Sequence, residues 1–195
     1  TPKPSSAASD VYKRQVHARY RGRDTRRAQL VKRSAEALST LDGVGSFDVV
    51  GVEDIRAHVD GAEAACMLIM ALLSDGDWAI GLGITAGSSA VSPAVYAATD
   101  AVGNRPGTVS VVVEAGSADA TGADDIAAAF ALLSHVLAKR TLEGREATSL
   151  VRSGLNQNEA AEELGISKQA MSQRLQAAGW QAEQAGWQLA VNLIS

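Results

Sequence analysis

The spacing of apolar residues changes part-way along this chain. Residues 78–84 (WAIGLGI) and 108–114 (TVSVVVE) are short, dense or β-branched apolar runs, and they predict strands. Residues 47–52 form a third β-type run. Between these runs, apolar positions three and four apart predict helices over 26–41, 62–73, 92–102 and 124–140. Asp42-Gly43, Asp75-Gly76 and the stretch 104–107 carry turn chemistry at the joins, and Pro93 suits a first helical position. Beyond Arg140 only the helical period remains. Strands alternating with helices and then helices alone predict an α+β or α/β domain joined to an all-α one, with the boundary near 139–143.

The helical end reads as four segments: 143–151, 157–164, 168 to about 178, and 180–194. The second and third resemble a helix-turn-helix. Asn156 is a good N-cap, and Glu159 three residues on completes an N-x-x-E variant of the capping box. Ala160 and Ala161 allow a second helix to approach closely, with Leu164 on the same face. Gly165 follows, where a left-handed backbone is easiest for glycine. Ile166 plugs the space between the helices and Ser167 caps the next one. The core of the motif is then Ala161, Leu164, Gly165, Ile166, Met171 and Leu175, the last two four apart on one face. The segment 180–194 carries Trp180 and Trp187 and is expected to loosen near Gly186. It either covers the core or pairs with a second copy.

The opposite face of the helix from Lys168 is polar and long-reaching: Lys168, Gln169, Ser172, Gln173 and Gln176. Glutamine can pair bidentately with adenine, and Lys168 or Arg174 can reach guanine or phosphate. Ser167 and Ser172 suit phosphate contacts. These residues are the candidate contacts to double-stranded DNA. The plainer alternative is an ordinary helical hairpin in an α-rich domain.

Charge qualifies that reading. Residues 1–33 hold ten of the eighteen Lys/Arg against two acids, so the rest of a chain of net charge −4 is strongly acidic. The motif region itself is not basic. One copy would gain little from counterion release on DNA, so useful affinity calls for a homodimer, a paired site or a basic arm. The single cysteine, Cys66, lies in an apolar helical run and reads as a small core residue. No apolar stretch is long enough for a membrane span and no signal sequence is evident, so a cytoplasmic protein without a membrane partner is expected.

Residues 1–15 read unlike the start of a domain, and SSAASDVYKRQ resembles a translated sequencing adapter. Residues 1–20 are therefore expected to be a disordered or artefactual leader. Residues 21–138 would be an α+β sensory or dimerisation domain, and 139–195 the DNA-binding one. Three stretches carry a resemblance to a known family: RGRDTRR at 21–27, DGDWAIGLGI at 75–84, and GLNQNEAAEELGISKQAMSQRLQAAGW at 154–180. Over about 170 residues the chain resembles the SatD-type proteins of actinobacteria, which are grouped with MarR-type helix-turn-helix regulators. The resemblance implies a ferredoxin-like, nucleotide-cyclase-type sheet for the first domain, with its usual first strand lost or replaced before Arg21.

Such a sheet can carry two metals on carboxylates at strand ends. Glu53 and Asp54 stand at the matching turn, with His58 nearby, but the glycine and the acid order differ from the family pattern. A solvated acidic turn is the simpler reading. Gly81, Gly83 and Gly87 miss dinucleotide-binding spacing by one and suit a strand that packs closely. His17, His58 and His135 are isolated, and His135 reads as a core histidine. No catalytic residue, metal or cofactor is assigned. The leading expectation is a DNA-binding transcriptional regulator, with a small-molecule effector of unknown identity left open. The alternatives are a divergent nucleotidyl-cyclase-like enzyme or ligand-binding domain carrying the motif, and a protein-interaction module.

Overall fold

A computed structural model of the chain describes residues 12–86, 92–114 and 120–195. The elements run β1 (Tyr12–Tyr20), α1 (Arg27–Leu38), β2 (Asp48–Val50), β3 (Asp54–Val59), α2 (Gly61–Asp75), β4 (Trp78–Ala86), α3 (Ser92–Ala101), β5 (Val109–Glu114), α4 (Ala120–Ala138), α5 (Leu142–Arg152), α6 (Gln157–Glu163), α7 (Lys168–Ala177) and α8 (Trp180–Ile194). The fold is α+β, with one mixed five-stranded sheet ordered β2-β3-β1-β4-β5. β1 is antiparallel to both β3 and β4, and β5 joins β4 in parallel after the α3 crossover.

The strand expected to be missing is the centre of the sheet. β1 lies between β3 and β4 and starts at Tyr12, inside the segment read as a leader; residues 1–11 of that leader lie outside the described residues. Its residues alternate strictly. Val16, Ala18 and Tyr20 enter the core, while Gln15 and His17 are buried on the other face. Two faces buried by different chemistry disguised the strand: His17 and Arg19 find partners on other elements, while Gln15 Oε1 is buried with no hydrogen-bond partner. Tyr20 meets Trp78 of β4 edge-on, with ring centroids 5.4 Å apart. β3 was likewise concealed, since Asp54, Arg56 and His58 interrupt its apolar Ile55, Ala57 and Val59.

The main core lies on the face of Val16, Ile55, Ile80 and Leu82, under α1, α2 and α4. Its centre is α2, where Leu68, Ile69, Leu72 and Cys66 are fully buried. Burial pushes the Cys66 thiol up to about 12, so it stays protonated at neutral pH. His135 is exposed rather than in the core, because Leu133 and Leu137 take the inward positions of α4. α3 covers the other face, over Gly81 and Gly83. A Cβ at Gly81 would stand 2.2 Å from Ala98 O, and one at Gly83 2.3 Å from Ala94 O. These glycines therefore serve close packing of α3 on β4. Gly87 lies outside the described residues.

α8 is one unbroken helix rather than loosened at Gly186. A Cβ there would meet Leu133 Cδ2 at 2.7 Å, so the glycine marks the close approach of α4. α8 lies against α4 and α2, and Ala190, Val191 and Ile194 enter the main core. Its last carbonyl, Ile194 O, accepts a 2.9 Å hydrogen bond from buried Arg14 of β1. A cation at a helix C-terminus also answers the helix dipole. At the other end, Trp180 packs on a second, smaller core made by α5, α6 and α7. No helix among the described residues is long and apolar enough to cross a membrane.

Candidate nucleic-acid interface

Each helix of the small core begins on a side-chain cap. Thr141 accepts the Gly144 amide at α5. Asn156 accepts the Asn158 and Glu159 amides at α6, while the Glu159 carboxylate accepts the Asn156 amide at 2.8 Å, closing the capping box. Ser167 accepts the Ala170 amide at α7. A cap of this kind stabilises by about 1 kcal/mol, which matters for helices of seven and ten residues that could not stand alone. Between α6 and α7 the chain turns at Gly165, whose φ of +64° suits a residue without a Cβ. Ile166 then bonds back to Ala161 O at 3.0 Å.

Ala147, Ala160, Ala161, Met171 and Leu175 form the buried centre, with Leu164 and Ile166 half-buried around it. Gly165 is exposed at the turn. The alanines hold α5, α6 and α7 close, and burying Met171 and Leu175 contributes about 2 kcal/mol each.

That packing decides which side chains of α7 point outward. Ser167, Lys168, Gln169, Ser172, Gln173 and Gln176 are all exposed. At about 100° per residue, the five on the helix occupy an arc of roughly 140° that starts beside Leu175 and turns away from the buried face of Met171 and Leu175. Arg174 does not join them. It is half-buried on the opposite flank and faces Glu143, whose carboxylate is held below the usual range by its own amide and the Thr141 hydroxyl, with Arg174 adding a smaller pull. Lys168 is thus the one cation on the outward arc. Glu159, Glu162 and Glu163 of α6 are also exposed.

The C-terminal end of α7 is anchored by groups the sequence did not single out. Arg140 donates Nε to Ala178 O at 2.8 Å and Nη2 to the Glu183 carboxylate. Arg152 donates to the other Glu183 oxygen at 2.6 Å. Arg140 and Glu183 are almost fully buried. The hints were only an arginine ending a helical run and one acid in an otherwise uncharged helix.

The acidic turn before β3 is occupied by arginines. Glu53 accepts from Arg21 at 2.6 Å and Arg27 at 2.5 Å, and these bonds hold its carboxyl below the usual range. Asp54 accepts from Arg19 at 2.9–3.1 Å and from His17 Nε2 at 3.0 Å. Burial raises the Asp54 pKa, but those hydrogen bonds outweigh it and the net shift is downward. His58 lies apart, paired with Asp60 at 3.1 Å, so Glu53, Asp54 and His58 do not converge on one point.

His17, 2% exposed, also faces Thr99 Oγ1 of α3 at 3.1 Å. Burial lowers its pKa below the ordinary 6.5, and the Asp54 hydrogen bond opposes this without reversing it. With a folded pKa below the unfolded one, stability is complete above pH 6.5 and declines as pH falls toward the folded value. Asp54 acts in the same sense at lower pH. Tm is therefore expected to be lower at pH 5.5 than at pH 7.5 (both about these values), and His17→Gln should reduce the difference. A rise in Tm on acidification would mean that the Asp54 pair dominates and the ring is charged.

Comparison of the chain with family models, with curated proteins and with solved structures found no match.

Proposed function

We propose that this chain is a DNA-binding transcriptional regulator of the cytoplasm, with α6, its turn and α7 acting as a helix-turn-helix. In this reading α7 enters the major groove. One observation carries it: a capped helix, held rigidly on two others, presents an unbroken outward arc of Lys168, Gln169, Ser172, Gln173 and Gln176. Side chains of this kind match the donor and acceptor pattern of base edges and phosphates better than they match a solvent face, where charges would be expected. The resemblance of residues 154–180 to SatD-type regulators supports the same reading. In the sheet domain, β1 to β4 with α1 and α2 follow the strand order of a ferredoxin-like unit, with α3 and β5 added. We assign that domain to dimerisation or effector sensing, because one lysine per copy gives too little phosphate neutralisation for tight binding.

Titration of the chain on fragments of its source genome tests the proposal. The best fragment should bind at least about a thousandfold tighter than random DNA. Equal affinity for all fragments would sink it. Gln169→Ala or Gln173→Ala should relax preference at one base by about 1–3 kcal/mol. Lys168→Ala should weaken all sequences alike and reduce the salt slope by about one per copy.

The exposed glutamates of α6 favour one rival, a protein-interaction module using the same arc. Salt separates the two, since DNA binding must fall steeply with salt. A cyclase-like enzyme has less support, because arginines occupy the Glu53 and Asp54 carboxylates.

A further inference from the structure

A cavity of about 780 Å³ opens between α2, α5 and α8, where the main core and the three-helix unit meet. Leu41, Met67, Met70, Val151, Trp180 and Trp187 give it apolar and aromatic walls. Its volume falls in the range of pockets that enclose small molecules. Among the described residues, the only charged ones lining it are Arg152 and Glu183.

That pair is not balanced. Glu183 is shared between Arg152 and the buried Arg140, so two guanidinium groups divide one carboxylate. Together Arg140, Arg152 and Glu183 carry a net charge of +1, and Arg152 is the arginine of the three that lines the cavity, with only its Nη2 donated to Glu183. Its side chain is 45% exposed, and its guanidinium lies 5.8 Å from the centre of the Trp180 ring. A cation beside one indole, in a concave site otherwise walled by apolar side chains, selects for an anion with an apolar body. A neutral ligand would make no use of the remaining Arg152 donors, and a dianion would bring a second charge with no partner.

We propose that this cavity binds an apolar monocarboxylate, its carboxylate on Arg152 and its hydrocarbon body along Met67, Met70 and Trp187. The site is linked to α7 by bonds already described: Arg152 to Glu183, Glu183 to Arg140, and Arg140 to Ala178 O at the end of α7. A ligand carboxylate that draws Arg152 toward the cavity changes how firmly Glu183 holds Arg140, and so how firmly α7 is anchored. The consequence for DNA rests on the reading above. The ligand site does not, and its test uses no DNA.

The full chain is titrated with decanoate and, separately, with decanol, following tryptophan emission below the micelle range. Trp180 and Trp187 line the cavity, while Trp78 is buried in the main core and serves as a constant background. Decanoate should give a saturable change and bind roughly tenfold tighter than decanol, as one charge-assisted hydrogen bond allows. Arg152→Gln should abolish that difference while leaving decanol affinity unchanged. Ala71→Phe, which fills the cavity from α2, should remove both binding events with the parent Tm retained. No saturable change, equal affinity for acid and alcohol in the parent, or parent-like binding by Ala71→Phe would overturn the proposal. If binding holds and DNA affinity is unaffected by decanoate, the site stands and only its link to α7 fails.

Discussion

Replacing Gly81 by alanine is expected to destabilise the chain by on the order of 3 kcal/mol, a fall in Tm of roughly 10 °C. The added Cβ would stand 2.2 Å from Ala98 O, 2.6 Å from Val102 N and 2.9 Å from Val102 Cα. All three atoms belong to backbone, so no rotamer change can relieve the contact, and α3 must lift from the sheet. Lifting α3 also separates Thr99 from His17 and uncovers the Asp54 pair. Gly83→Ala should behave alike, since its Cβ would meet Ala94 O at 2.3 Å and Ala98 N at 2.5 Å. Gly103→Ala, where nothing lies within 4 Å of the added atom, is the control and should change Tm little. Thermal unfolding followed by circular dichroism decides the point. A Gly81→Ala chain as stable as the parent would mean that α3 does not lie at this distance from β4.

The second large effect is expected at Glu183. Glu183→Ala should destabilise by about 3–5 kcal/mol, because it leaves the Arg140 guanidinium buried without its counter-charge. Arg140→Met should be milder, since Glu183 retains Arg152. The double variant Arg140→Met with Glu183→Leu should recover most of the loss of the single Glu183→Ala change. Buried ion pairs replaced together by apolar groups are often neutral. Denaturant melts of the double variant and of Arg140→Met and Glu183→Leu alone form the necessary cycle. If Glu183→Ala is as mild as a surface substitution, the buried pair does not hold α7 to the end of α4.

The small helical unit was legible in the sequence nearly residue by residue. Asn156, Glu159, Gly165 and Ser167 act on amides within a few positions of themselves, so the chemistry that sets each cap or turn lies inside the motif. The inward set of Ala161, Met171 and Leu175 follows from helical period, and so does the outward arc. The same period sets Arg174 apart from that arc, on the flank toward α5. β4, β5 and α2 were legible for similar reasons, being dense apolar runs bounded by turn residues.

What escaped was set by distant partners. β1 looks polar and basic along the chain. Its His17 and Arg19 are accommodated by Asp54 and Thr99, 35 to 82 positions away, and Arg14 by the last turn of α8 at a separation of 180. The same holds for the acids of the turn before β3, which read as solvated until Arg19, Arg21 and Arg27 are placed beside them. Gly186 suggested a break and instead admits Leu133 of α4.

Local chemistry by itself thus determined the three short helices, their caps and the outward arc of α7, because hydrogen bonds and periodicity of that kind span only a few residues. Only the tertiary structure decided that β1 is the centre of the sheet, that α8 ties the two cores together, and that Arg140, Arg152 and Glu183 meet beside a cavity. Those outcomes depend on which charges and apolar faces find each other across the fold, and no spacing along the chain encodes that.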